Sequence, residues 1–330
     1  MTRSPYLSLV WVALGLWARE AGADPLDDAL ARGCTPDPRL AAAARAALDP
    51  AADADALRRV AQEAGVAAPS LRVWRGDGPD DLAAWIARDP RTRVGDRCAL
   101  GRDGGRTVAV HAPQVVELTR NPDGAVTRAL LPPAARGATV SVLSPEGQVT
   151  TRPLPPDGTL PPGSSAPGTW QIVATLPEGP TPLALWTVGP APDLTVDPSV
   201  TDPTAVIRGL NALRRAAGAP TLRPDPLLGR LARGRAVALA SWGAPAHATA
   251  ADDGPLARLA RAGLTAELLG ENVALARSLA HAHARLLASP SHRATALDPR
   301  LDTVGVGVAP RAGGVAVVIV LARHPGLRSP

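Results

Sequence analysis

The side chains with the most scope for chemistry in this sequence are three separated residues, His247, Glu271 and His292. Two imidazoles and a carboxylate can hold a Zn2+ ion and leave a coordination position for water. The same trio could polarise a water molecule or position a general base. The three lie in separate stretches, so spacing alone does not bring them together. The sequence has no HExxH helix, no GxSxG turn and no CxxC pair. His281 and His283 are two residues apart on a predicted helix and diverge by about 200°. His111 falls in a predicted strand and His324 near the C-terminus, each alone. Ser289 and Ser291 flank His292, and both are accounted for by a helix start, so no clear nucleophile stands beside the trio. Glu267 reads as solvated.

The elements that must position these residues are legible in the C-terminal third. Val206, Leu210, Leu213 and Ala217 recur at helical spacing, with Gly218 as the stop. Leu227, Leu231, Gly234 and Ala238 predict one narrow apolar face on a second helix, which Trp242 completes and Gly243 and Pro245 break. Helices are predicted over about 254–262 and 278–288. Ser289-Pro290 reads as a cap followed by proline at the first helical position. Thr303 to Ala309 and Val315 to Ala322 read as two strands. Helices around a small antiparallel sheet make a layered α+β domain.

Four stretches of this region, taken together, resemble bacterial CAP domains, the superfamily of cysteine-rich secretory proteins, antigen 5 and pathogenesis-related 1 proteins. They are Leu210-Asn211-Ala212-Leu213-Arg214, then His247, then Gly270-Glu271-Asn272-Val273-Ala274. The last is Ser289-Pro290-Ser291-His292-Arg293 with Leu297 and Val304-Gly305-Val306-Gly307 beyond it. The resemblance covers residues 203–323. It implies an α-β-α sandwich with a cleft that two His and two Glu face in the family. Position by position, His247, Glu271 and His292 match three of these four, and Ser289 takes the place of the second Glu. The resemblance makes His247 and His292 the metal candidates, with Zn2+ as the ion and no cofactor required. Asn272 is expected to satisfy backbone groups in a turn, and Arg293 to be a structural ion-pair partner.

Upstream, residues 1–23 read as a signal peptide: Arg3, an apolar run from Leu7 to Trp17, then Ala21-Gly22-Ala23. The run is too short to span a bilayer comfortably, so no transmembrane segment is expected in the mature chain. Residues 24–104 read as helical, with Leu57, Val60, Ala61 and Ala64 on one face and Leu82, Trp85 and Ile86 on another. Residues 105–189 read as a β-rich domain, a small antiparallel β-sandwich built on 107–110, 139–142, 170–174 and 183–188. Residues 190–202 are a Pro/Asp-rich linker, and 324–330 a tail. In an exported chain the two cysteines, Cys34 and Cys98, predict a disulfide worth about 4 kcal/mol by loop entropy.

The net charge of +5 comes from arginines alone, scattered among Asp and Glu, with no lysine. No basic stripe with interleaved aromatics appears, which argues against a nucleic-acid partner. Two classes of function remain. One is a secreted or periplasmic, non-enzymatic module whose partner is an extracellular ligand, lipid or protein. The other is a metal-assisted, peptidase-like hydrolase using His247, Glu271 and His292. The family's link to lipids would need an exposed apolar groove, of which an Ala-rich, aromatic-poor composition gives no clear sign.

Overall fold

The computed structural model describes residues 24–323, apart from 53, 89–94, 114, 178, 191–194, 249–251 and 253. Residues 1–23, expected to be a signal peptide, and residues 324–330, the expected tail with His324, lie outside the described residues. Helices and strands are mixed throughout, an α+β architecture with, among the described residues, three four-stranded sheets and one two-stranded hairpin.

The first elements are α1 (Pro25–Gly33), β1 (Thr35–Pro36), a 3-10 turn, α2 (Ala41–Ala46), α3 (Ala54–Glu63), β2 (Arg72–Arg75), α4 (Pro79–Ala87), β3 (Arg97–Asp103) and β4 (Arg106–Ala112). The predicted helical faces are present, with Leu57, Ala61, Leu82 and Ile86 buried. The all-helical reading of 24–104 needs correction, because β1, β3, β4 and β2 form one sheet in that order. The expected boundary at 104/105 cuts the β3–β4 hairpin at Gly104-Gly105, both at positive φ. The physical reason is the small size of the helical side chains. Ala43 and Ala44 are fully buried, and only a closely apposed sheet can cover so thin a layer. At Gly101 of β3 an added Cβ would lie 2.4 Å from the Ala44 carbonyl oxygen. Cys34, at the end of α1, is disulfide-bonded to Cys98 on β3, with Cα atoms 6.1 Å apart.

Next come β5 (Leu118–Arg120), β6 (Val126–Ala129), β7 (Arg136–Leu143), β8 (Val149–Pro153), β9 (Gly168–Leu176) and β10 (Gly179–Val188). Four of them form an antiparallel sheet in the order β10-β9-β7-β8, while β5 and β6 pair as a hairpin. The second layer of the expected sandwich is therefore only two strands wide. One core joins the layers through Val126, Ala129, Val140 and Ile172, with Trp170 and Trp186 stacked at 6.0 Å. Strand alternation puts Ser141 and Gln171 on the opposite face. Both are nevertheless buried, because the C-terminal region covers that face.

The C-terminal elements are α5 (Pro203–Ala216), β11 (Arg223–Pro224), α6 (Pro226–Trp242), α7 (Pro255–Arg261), β12 (Leu268–Ala276), α8 (Leu279–Ala288), α9 (Pro290–Leu297), β13 (Thr303–Arg311) and β14 (Gly314–Arg323). Their sheet, β11-β13-β14-β12, has a separate core on each face. Along β14, Val317, Ile319 and Leu321 face α5 and α8, and Ala316, Val318 and Val320 face α6. This is the α-β-α sandwich. The buried side of α6 is Leu228, Ala232, Ala236 and Leu239, one residue on from the predicted face; Leu227 is exposed. Two glycines set that orientation. A Cβ on Gly305 would meet Leu228 C at 2.1 Å, and one on Gly307 would meet Ala232 C at the same distance. The helix backbone lies directly on β13. Strand β12 shows no strand alternation in its sequence, yet it pairs along its whole length with β14. In the segment read as a linker, Val200 is buried in the C-terminal core and Val196 packs against it.

Candidate functional site

His247 lies in the loop between α6 and α7, Glu271 on the edge strand β12, and His292 in the first turn of α9. Alternation along β12 separates neighbouring side chains. Glu271 turns toward α7, where Arg258 donates to its Oε2, and its side chain is 1% exposed. Asn272 turns toward α9 and donates from Nδ2 to the His292 carbonyl at 2.9 Å. Asn272 thus does satisfy a backbone group, but from a strand rather than a turn.

Nδ1 of His247 is 3.0 Å from Oε1 of Glu271. A carboxylate only accepts, so Nδ1 carries a proton and donates it to Glu271, which fixes the ring's orientation. Both Glu271 oxygens are engaged, one by His247 and one by Arg258. Arg258 also donates to the His247 carbonyl at 3.1 Å and to Asp252. Asp252 in turn takes Arg235 and Arg261, each at 3.0 Å. Burial alone would raise the Asp252 carboxyl; Arg258 and Arg235 hold it below the ordinary value. Arg235 also donates to the Ala246 carbonyl at 2.6 Å. This network fixes the loop that carries His247. Neither Arg258 nor Asp252 was anticipated, since they sit in a loop and a short helix without periodicity.

His292 is fixed from the other side. Ser291 N–H donates to Gln171 Oε1 at 3.0 Å, which orients the Gln171 amide. Ser289 Oγ donates to the same oxygen at 3.1 Å. Having given its proton to Gln171, Ser289 Oγ accepts from His292 Nδ1 at 2.9 Å. His292 is therefore the Nδ1–H tautomer with Nε2 bare. Desolvation, with the charges of His247 and Arg285, pushes this imidazole down to about 3, so the ring is neutral at ordinary pH. Ser289 caps α9 by position, but its hydroxyl serves His292 rather than the helix. Gln171 belongs to β9, on the face opposite Trp170 and Ile172.

Arg293 makes no ion pair among the described residues. It donates to the carbonyls of Gly147 at 3.0 Å and Leu287 at 3.2 Å, tying α9 to the β7–β8 turn. His281 and His283 diverge as the helical spacing requires. His281 is bonded to Ser278 and Arg277, while His283 is buried against Gly209. His111 is buried and paired with Asp96 at 2.9 Å. Glu267 pairs at the surface with Arg323.

His247 and His292 open onto one cavity of about 280 Å3, while Glu271 is not part of its lining. The trio therefore does not present three ligands to one point. Among the described residues, no group of three or more His, Cys, Asp or Glu side chains is placed to hold a metal ion. With its carboxylate engaged twice, Glu271 does not fit a Zn2+ ligand. The cavity walls come from the N-terminal region (α3 with Pro69, Ser70 and Pro113), the β9–β10 sheet and the C-terminal sandwich.

Residues 207–322 match the CAP, or cysteine-rich secretory protein, family. No curated protein sequence matches the chain. Among solved structures, an outer surface protein from Borrelia burgdorferi is 19% identical, covering 37% of this chain and 91% of that one, with a TM-score of 0.34. An extracellular protein containing a SCP domain from Bacillus anthracis is 15% identical, covering 63% of this chain and 81% of its own, with a TM-score of 0.32. A cysteine-rich secretory protein from Staphylococcus aureus is 14% identical, covering 68% and 67%, with a TM-score of 0.30.

Proposed function

We propose, with the CAP domain at residues 207–322 as the premise, that this chain is an extracytoplasmic binding module whose cleft holds a ligand without transforming it. The observation that carries this reading is the polarity of the Ser289–His292 pair. A nucleophilic serine needs a histidine nitrogen free to take its proton. Here the serine proton is committed to Gln171, and the histidine nitrogen facing the serine is already protonated. The pair is wired as a clamp, not as a nucleophile and base. The alternative, a hydrolase using His247, Glu271 and His292 with a metal-bound water, would require Glu271 to leave Arg258. The disulfide between Cys34 and Cys98 supports a location outside the reducing cytoplasm. Among the described residues no helix is long and apolar enough to cross a membrane.

The test is a zinc titration of the chain from residue 24 by calorimetry, beside the His247→Ala/His292→Ala double variant, with peptide and ester substrates assayed in parallel. The expected result is no stoichiometric tight zinc binding and no turnover. Turnover that disappears in the double variant would overturn the proposal in favour of the hydrolase.

A further inference from the structure

The cavity is lined by His292, whose Nδ1 is committed to Ser289 and whose Nε2 is bare, and by a positive cluster. Arg58 of α3 approaches Asp55 Oδ1 at 2.8 Å, and Arg285 of α8 approaches the same oxygen at 3.5 Å. All three residues line the cavity. Two guanidiniums thus share one carboxylate. Moreover, Asp55 Oδ1 is buried and makes no well-aligned hydrogen bond, so the one carboxylate holds neither guanidinium tightly. Burial opposes the Arg58 charge, and the nearby Arg285 adds to that effect. A half-buried cluster with two guanidiniums against one carboxylate is the pattern that receives an anion, and the planar guanidinium suits a carboxylate. The lining is otherwise largely apolar, with Pro180, Pro182, Leu185 and Leu286 in it. The volume lies at the small end of ligand pockets.

We infer that this cavity takes a small organic carboxylate: its anionic group docks on Arg58 and Arg285, and a neighbouring amide N–H or hydroxyl donates to His292 Nε2. This deepens the binding-module reading and rests on it. Asp55 is the built-in competitor for the carboxylate. Gln171 and Ser289 are positioning residues, because they fix which nitrogen of His292 is bare.

The test follows the ring-nitrogen NMR resonances of the whole chain from residue 24, labelled at histidine. N-acetylalanine, which has a carboxylate beside an amide N–H, is compared with its neutral amide. N-acetylalanine is expected to shift the His292 Nε2 resonance saturably and to bind at least tenfold more tightly than the amide. Arg58→Gln should weaken it tenfold or more, whereas Asp55→Asn should tighten it severalfold. A merely unfolded or collapsed cavity would weaken both variants, so that pattern counts against the inference. Equal affinity for the two probes, binding of the amide alone, or no binding of either would overturn the carboxylate assignment. Binding of the amide alone would leave the binding-module reading standing; release of acetate from either probe would overturn that reading instead.

Discussion

Glu271 has both carboxylate oxygens engaged and almost no contact with solvent. Replacing it with glutamine leaves Arg258 beside Asp252 alone and strands part of a buried charge. Such losses cost about 3–5 kcal/mol, and urea unfolding of Glu271→Gln should show a drop of that order. His292 gives a pH signature. Its folded value near 3 lies below the usual histidine value of 6.5, so the native ring binds fewer protons than the unfolded one. Stability is then complete above about pH 6.5 and is lost as pH falls toward the folded value. The wild-type chain should lose up to about 1.4 kcal/mol per pH unit more than His292→Gln over this window. Urea midpoints at pH 7 and pH 5 would measure it. At this scale the sequence named His247, Glu271, Asn272, Ser289 and His292, because motif order carried them. It missed Gln171, Arg58, Arg285 and Arg258, whose roles depend on which surfaces meet.

Periodicity exposed the elements that bury one continuous face. Helices α5, α8 and α9 and strands β13 and β14 lie close to where spacing put them. It failed where glycine decides the contact. The face of α6 was displaced by one residue because backbone, not side chain, meets Gly305 and Gly307. Strand β12 was hidden because its two faces carry Glu271 and Asn272 among apolar residues, so no simple alternation shows. Gly307→Val should force α6 away from the sheet and cost about 3 kcal/mol or more; thermal unfolding would record it. The small β1–β4 sheet was masked in a similar way, since Arg72, Arg75, Arg97 and Arg102 punctuate its strands.

For the whole molecule, the disulfide closes a 64-residue separation between the end of α1 and β3 of the first sheet. The Cys34→Ala/Cys98→Ala variant should lose about 2–4 kcal/mol by the loop-entropy argument, seen as a lower Tm in oxidising buffer. Under reducing conditions the difference from wild type should vanish. The effect on ligand binding depends on α3, which supplies Asp55 and Arg58 and packs in the same N-terminal core as β3 and β4.

The reach of Gln171 into α9 has a practical consequence for dissection of this protein. A fragment trimmed to the family match would keep His247 and His292 but lose the amide that orders the His292 ring. Such a fragment would also lack Arg58, and both imidazoles would meet bulk water. A ligand screen run on it would sample a different chemical surface, and a negative result there would say nothing about the intact chain.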